Sequence, residues 1–334
     1  MTAAVGPKVR TSGRTLQLIR FVRTVLVGGV LCAFALTSVW AMGWLQGAAR
    51  RHALSVAGQR DAGPTWVMGA RGHGWIVRLF GGLSQNIRRG AWAVIGLALL
   101  TLPFTGLWLV SWWAGWENSF NKGYEQSFVG PTVGMLGAGL ACVIFVFLPM
   151  ALAHQSVEDR PFAILELRKV RSAVSHTGIG YIVFTLACVV ASFPIFAGRG
   201  LIVFVEGIVP GLADYGPQEI DALLFQIAVA KGLYVFSAFT VLRQWSAGIY
   251  ARAVLQAGTG PDFRLWAQSP LLAGVPEPLA PRRSTSLAAV RWLRMAILAV
   301  IWFGIVAQIF VGQFLNHDWH MWLTHPVFLL PWAG

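Results

Sequence analysis

Long uncharged stretches, separated by clusters of arginine, set the pattern of this chain. Six windows, Thr24–Gln46, Ala91–Gly115, Pro131–Ala153, Ile179–Gly198, Ala222–Leu242 and Met295–Leu315, are each long enough to cross the hydrocarbon core of a bilayer as a helix. Only the fifth contains a charge, Lys231. Their apolarity is continuous rather than alternating, which excludes the inside/outside period of a transmembrane barrel strand and leaves the α-helix, whose backbone groups satisfy one another. The pattern predicts an all-α fold, a polytopic helical membrane bundle with about six transmembrane helices.

The arginines orient the bundle. Gly47–Gly90 carries Arg50, Arg51, Arg60, Arg71, Arg78, Arg88 and Arg89 against the single acid Asp61, so it is assigned to the cytoplasm. Gln155–Gly178 and the stretch after the fifth window are likewise basic, the latter with Arg243, Arg252, Arg264, Arg282, Arg283, Arg291 and Arg294. Arg199–Asp221 instead holds Glu206, Asp214, Glu219 and Asp221 with one base, and the tail after Asn316 has no Lys or Arg, which places both outside. One conflict remains. Lys8, Arg10, Arg14, Arg20 and Arg23 precede the first window, so both of its flanks are basic and one crossing must put a basic flank outside. The alternative is that Gly28 and Gly29 let this window re-enter. The cost of leaving 23 uncharged residues uninserted favours a full span, with the amino terminus outside.

Between the windows, Trp75–Arg89 repeats Trp75, Ile76, Leu79, Phe80, Leu83 and Ile87 at helical spacing opposite Arg78, Asn86 and Arg89. It reads as an amphipathic interfacial helix leading into the second span. Residues 1–90 thus form an N-terminal membrane segment plus a cytoplasmic basic and amphipathic region. Residues 91–334 form the helical transmembrane domain, with a Pro/Gly-rich cytoplasmic linker near 255–286.

Composition agrees and removes one rival. Hydrophobic residues make up 56% of the 334 positions, charged residues 12%, and the mean hydropathy is +0.62, too little polar surface for a water-soluble globule of this size. A net charge of +13 by itself suggests nucleic acid. With 16 Trp and 21 Phe concentrated in and around uncharged runs, however, it is the positive-inside bias of a membrane protein, and no nucleic-acid partner is expected. Cys32, Cys142 and Cys188 all fall inside apolar windows as packing residues rather than a disulfide framework.

Candidate chemistry is sparse. Lys231, about a third of the way into its span, costs roughly 2.5–3.5 kcal/mol to insert, so it either lines a polar pathway or snorkels to the interface. Glu206, Asp221 and Gln308 are its candidate partners, with Gln313 beside them. Trp116, Glu117, Asn118 and Glu125 lie in an aromatic and polar loop at the outer mouth of spans two and three. Such a loop either binds a ligand or anchors the protein at the interface. His317, His320 and His325 in the tail have weakly specific spacing for a metal, and the surrounding tryptophans fit an interfacial belt instead, so no metal or other cofactor is expected. His154, at a helix end, and His176, in a loop, are badly placed to ligate haem between spans. Pro103, Pro149 and Pro194 can kink their helices, and Gly134, Ala138 and Cys142 form a small-residue face. No phosphate loop, HExxH, GxSxG or intramembrane aspartate pair is present.

The run Trp112–Glu125, then Leu148–Gln155, and the closing Trp322–Pro326 and Leu330–Trp332 resemble uncharacterised multi-span proteins of bacterial inner membranes. The resemblance covers about residues 91–334 and implies a multi-pass inner-membrane location and a helical fold, but no activity. The expected role is a structural or accessory component in contact with the lipid bilayer and with other membrane protein subunits. The alternatives are a small-solute or ion transporter with a cavity around Lys231, and a membrane-embedded enzyme with an extracytoplasmic-face site.

Overall fold

A computed structural model describes residues 14–61, 66–69, 74–121, 128–200, 211–278, 288–316 and 330–333. Among these residues there are helices and no strands: α1 (Arg14–Cys32), α2 (Ala35–Val56), α3 (Trp75–Asn121), α4 (Val129–Glu158), α5 (Leu167–His176), α6 (Ile179–Gly200), α7 (Pro217–Ala257), the single turn α8 (Phe263–Trp266) and α9 (Ala288–Asn316). The start of α7 is written locally. Pro217 occupies its first turn, and the Glu219 carboxylate accepts the Gly216 amide at 2.8 Å. Asp159, left-handed at φ 52°, ends α4.

Five helices are long and apolar enough to cross a membrane, α3, α4, α6, α7 and α9, and they take up the last five sequence windows. Each turns large apolar side chains away from the protein: Leu102, Met135, Val190, Val241 and Val300 are 60–75% exposed. A bundle with such a rim on every span is at equilibrium only in lipid. This is an integral membrane protein, with five spans rather than six among the described residues.

The sixth window is the correction. It breaks at Ala33–Phe34, where Phe34 is extended (φ −122°, ψ 140°) and Thr37 Oγ1 donates to the Leu31 carbonyl at 2.6 Å, satisfying an acceptor that the break leaves free. Against α7, α1 meets Phe236, then Gly232 and Leu233, then Phe225 through Phe34, moving toward the start of α7. The other arm reverses: in α2, Trp44 lies 5.3 Å from the Phe236 ring and His52 lies against Gly248. Arg23 in α1 stacks 4.1 Å over Trp66, downstream of α2, so both basic flanks come to one side. The window re-enters, and the charge conflict disappears. Its glycines make the packing possible. A Cβ on Gly232 would fall 2.2 Å from the Gly29 carbonyl oxygen, and one on Gly43 would fall 1.7 Å from that of Asn86, distances open only to glycine.

The amphipathic segment does run unbroken into the second span, as one 47-residue helix. Trp75, Ile76 and Phe80 face outward, whereas Asn86 and Arg89 are buried against the protein. Trp112–Asn121, expected as a loop, continues that helix, because nothing between Pro103 and Asn121 stops it. His176, also expected in a loop, closes α5. The span interior is largely aromatic: Phe104 packs edge-on against Trp108 and Phe145, Phe145 meets Trp302, and Tyr181 stacks on Phe184. Cys142 and Cys188 are buried in that packing, and Cys32 is buried in a separate cluster that joins α1 and α2 to α7.

Candidate functional site

Buried polar groups gather at one end of the bundle, the end carrying most of the arginines. The centre is His154, in the last turns of α4 and wholly buried. Its Nε2 lies 3.2 Å from Glu166 Oε2 and its Nδ1 2.7 Å from Tyr250 Oη. A carboxylate only accepts, so Nε2 carries the proton and Nδ1 accepts the tyrosine hydroxyl. Glu166, between the 3-10 turn Ala163–Leu165 and α5, also takes Arg160 at 2.5 Å and Lys169 at 2.9 Å. Burial pushes the Glu166 carboxyl up, but the hydrogen bonds from Lys169 and His154 and the Lys169 charge outweigh it and hold the group down at about 2.

Trp266 of α8 closes the cluster from the loop side. Its ring stands perpendicular to His154, centroids 5.6 Å apart, and its Nε1 donates to Ser172 Oγ at 3.2 Å; Ser172 in turn donates to Asp262 Oδ2 at 2.5 Å. Four elements, α4, α5, α7 and α8, are thereby tied by hydrogen bonds that leave neither histidine nitrogen open to a ligand. Leu271 and Leu272 are also buried, so the stretch 255–278, which holds the end of α7, α8 and a 3-10 turn, is packed down as a cover over this end.

A second group lies beside it. Arg89 of α3 makes a two-pronged pair with Asp159, at 2.9 and 2.8 Å, and Gln155 Nε2 donates to the Trp92 and Pro161 carbonyls at 3.0 and 2.7 Å. Arg50 of α2 donates to the Val157 carbonyl and pairs with Asp61 at 3.6 Å. Arg243, assigned from sequence to the basic cytoplasmic stretch, instead lies 2% exposed between α2 and α7, 3.7 Å from Met42 Sδ and 5.8 Å from the Phe239 ring centroid. Its long stem reaches back into the bundle.

Where they are described, the residues singled out from sequence fall on α3, α7 and α9. Lys231 is half-buried on α7, and Asp221 is exposed ten residues earlier on the same helix, about 15 Å away along its axis. Gln308 of α9 accepts from Ser192 of α6 at 2.9 Å, joining those helices. Trp116, Glu117 and Asn118 fall on the last turns of α3. Glu125, Glu206, His317, His320 and His325 lie outside the described residues. Among the described residues no three His, Cys, Asp or Glu side chains form a metal-binding group.

Sequence reasoning passed over Glu166, Ser172, Tyr250, Asp262 and Trp266, which are 12 to 112 positions from His154 and are united only by the fold. One signal was available: an ionisable His154 and an amide, Gln155, in the final turns of an otherwise apolar helix ask for partners. No protein-family model matches the chain, and no curated protein or solved structure matches it either.

Proposed function

We propose that this protein is a structural or accessory component of a bacterial inner membrane, with its basic end in the cytoplasm, and that it works by holding a rigid polar platform against other membrane protein subunits. The observation that carries this reading is the closed network around His154, Glu166 and Tyr250, in which ionisable groups bond to one another and not toward a cavity. A carrier needs groups that exchange partners as it cycles, whereas a scaffold needs them locked. The aromatic packing of Phe104, Phe145 and Trp302 through the spans supports the same conclusion, because it fills the space between α3, α4 and α9 with rigid rings.

The test is direct. Full-length protein reconstituted in liposomes should give ion and solute flux no greater than empty vesicles, and Lys231→Met should change nothing. Flux abolished by Lys231→Met, with insertion intact, would establish a transporter and end the scaffold reading. In mild detergent, the protein should leave its host membrane together with membrane subunits in fixed stoichiometry. Metal content that falls when His317, His320 and His325 are all replaced would instead favour an outer-face metalloenzyme.

A further inference from the structure

Two pairs of arginines at identical spacing, Arg168 with Arg171 on α5 and Arg291 with Arg294 on α9, face one cavity of about 940 Å³ between α4, α5 and α9. Residues three apart share a helix face, so each pair presents both guanidinium groups to the same space. Arg294 is engaged at the rim. It donates to the carbonyls of Thr177, Val174 and Ser175, the last two at 2.9 and 3.2 Å, capping the end of α5 and fixing that helix to α9. Arg168, Arg171 and Arg291 make no ion pair or hydrogen bond among the described residues. Asp262 is the one carboxylate among the lining residues, and it already accepts from Ser172. Three cations sharing a concavity repel one another, and an anion placed between them relieves that repulsion while offering the bidentate geometry that guanidinium groups favour.

The rest of the lining specifies what the anion is attached to. Val143 and Phe147 of α4 and Met295 and Ala299 of α9 continue the cavity into the apolar part of the spans. Val143 is 53% exposed, so this trench opens sideways, where acyl chains lie. Trp292, 75% exposed among the arginines, sits where an indole meets headgroups. A soluble anion would fill only the basic mouth and leave the trench empty. A basic pocket between spans at the cytoplasmic interface, with an apolar channel below it, matches a molecule that is anionic at one end and hydrocarbon at the other. We infer that this cavity is a binding site for an anionic phospholipid, its phosphate held by Arg168, Arg171 and Arg291 and an acyl chain lying along Val143, Phe147 and Met295. This inference does not depend on the scaffold reading.

The experiment uses the full chain in mild detergent, with native mass spectrometry and titration of phosphatidylglycerol, phosphatidylcholine and inorganic phosphate. Phosphatidylglycerol should bind in preference to phosphatidylcholine, and inorganic phosphate at the same concentration should not compete. Neutralising one arginine should weaken binding about fivefold, and R168Q/R171Q/R291Q on the order of a hundredfold. Ala296→Phe leaves every charge in place and fills the exposed lining position Ala296; it should weaken phosphatidylglycerol binding. If the triple variant aggregates, Arg291→Gln alone, at an exposed position, still reads the site. Equal affinity for the two lipids, unchanged binding in the arginine variants, competition by inorganic phosphate or an acidic peptide, or indifference to Ala296→Phe would each overturn the assignment.

Discussion

The glycine contacts allow a quantitative test of how the re-entrant pair is held. In Gly43→Ala the new Cβ would lie 1.7 Å from the Asn86 carbonyl oxygen, 2.6 Å from its carbonyl carbon and 2.8 Å from the Gly90 amide nitrogen, all backbone atoms that cannot rotate away. Restoring an ordinary separation of about 3.5 Å requires α2 and α3 to part by nearly 2 Å, which forfeits much of the dispersion contact along their crossing. Overpacking of this kind costs about 1–3 kcal/mol, against which alanine returns about 1 kcal/mol of helix propensity. Gly139→Ala on α4 is the internal control, because its Cβ would meet nothing within 4 Å and only the propensity gain remains. Gly43→Ala should therefore be destabilised by about 0–2 kcal/mol relative to wild type and by about 1–3 kcal/mol relative to Gly139→Ala. In detergent this is measured by intrinsic tryptophan fluorescence and by the monodisperse fraction after heating, where it corresponds to an apparent Tm lower by roughly 2–6 °C. Equal melting temperatures for the two alanine variants would refute the claim that backbone approach at Gly43 decides the placement of α2.

Other perturbations reach the polar end. Tyr250→Phe removes the donor to His154 Nδ1 and leaves a buried acceptor bare, so it should cost about 1–3 kcal/mol, and the His154→Ala/Tyr250→Phe double variant should cost less than the two singles added. Arg89→Lys should not restore the stability lost in Arg89→Ala, since one ammonium cannot reproduce the paired bonds to Asp159 at 2.8 and 2.9 Å; thermal melts of the three proteins decide it. The Glu166 carboxyl titrates near 2 in the folded protein against an ordinary 4.5, so its contribution is complete above about pH 4.5 and is lost as pH falls toward 2. The stability gap between wild type and Glu166→Gln should accordingly shrink over that interval, and a gap that is flat with pH would contradict the assignment. Single cysteines at Arg20 and Arg60, with the three buried native thiols unreactive, should be labelled by an impermeant maleimide from the same side of sealed vesicles; opposite sidedness would restore the six-span topology.

Much of the architecture is written in the sequence because the bilayer acts on each span separately. A window such as Pro131–Ala153 inserts on its own hydropathy, so five spans and the all-α class are local properties. The continuous helix from Trp75 into the second span was legible for the same reason. The first window was misjudged because its hydropathy satisfies a crossing while its topology depends on Gly29 meeting Gly232 and Gly43 meeting Asn86, contacts about 200 and 40 residues apart. Tertiary structure alone decided the rest. His154, Glu166, Tyr250 and Trp266 are unremarkable in four separate stretches, and Arg168, Arg171, Arg291 and Arg294 look like ordinary positive-inside charge until α5 and α9 are placed side by side. The physical reason is one of range: partition into lipid is summed residue by residue along the chain, whereas hydrogen bonds and guanidinium clusters exist only between groups that packing has brought within a few ångströms.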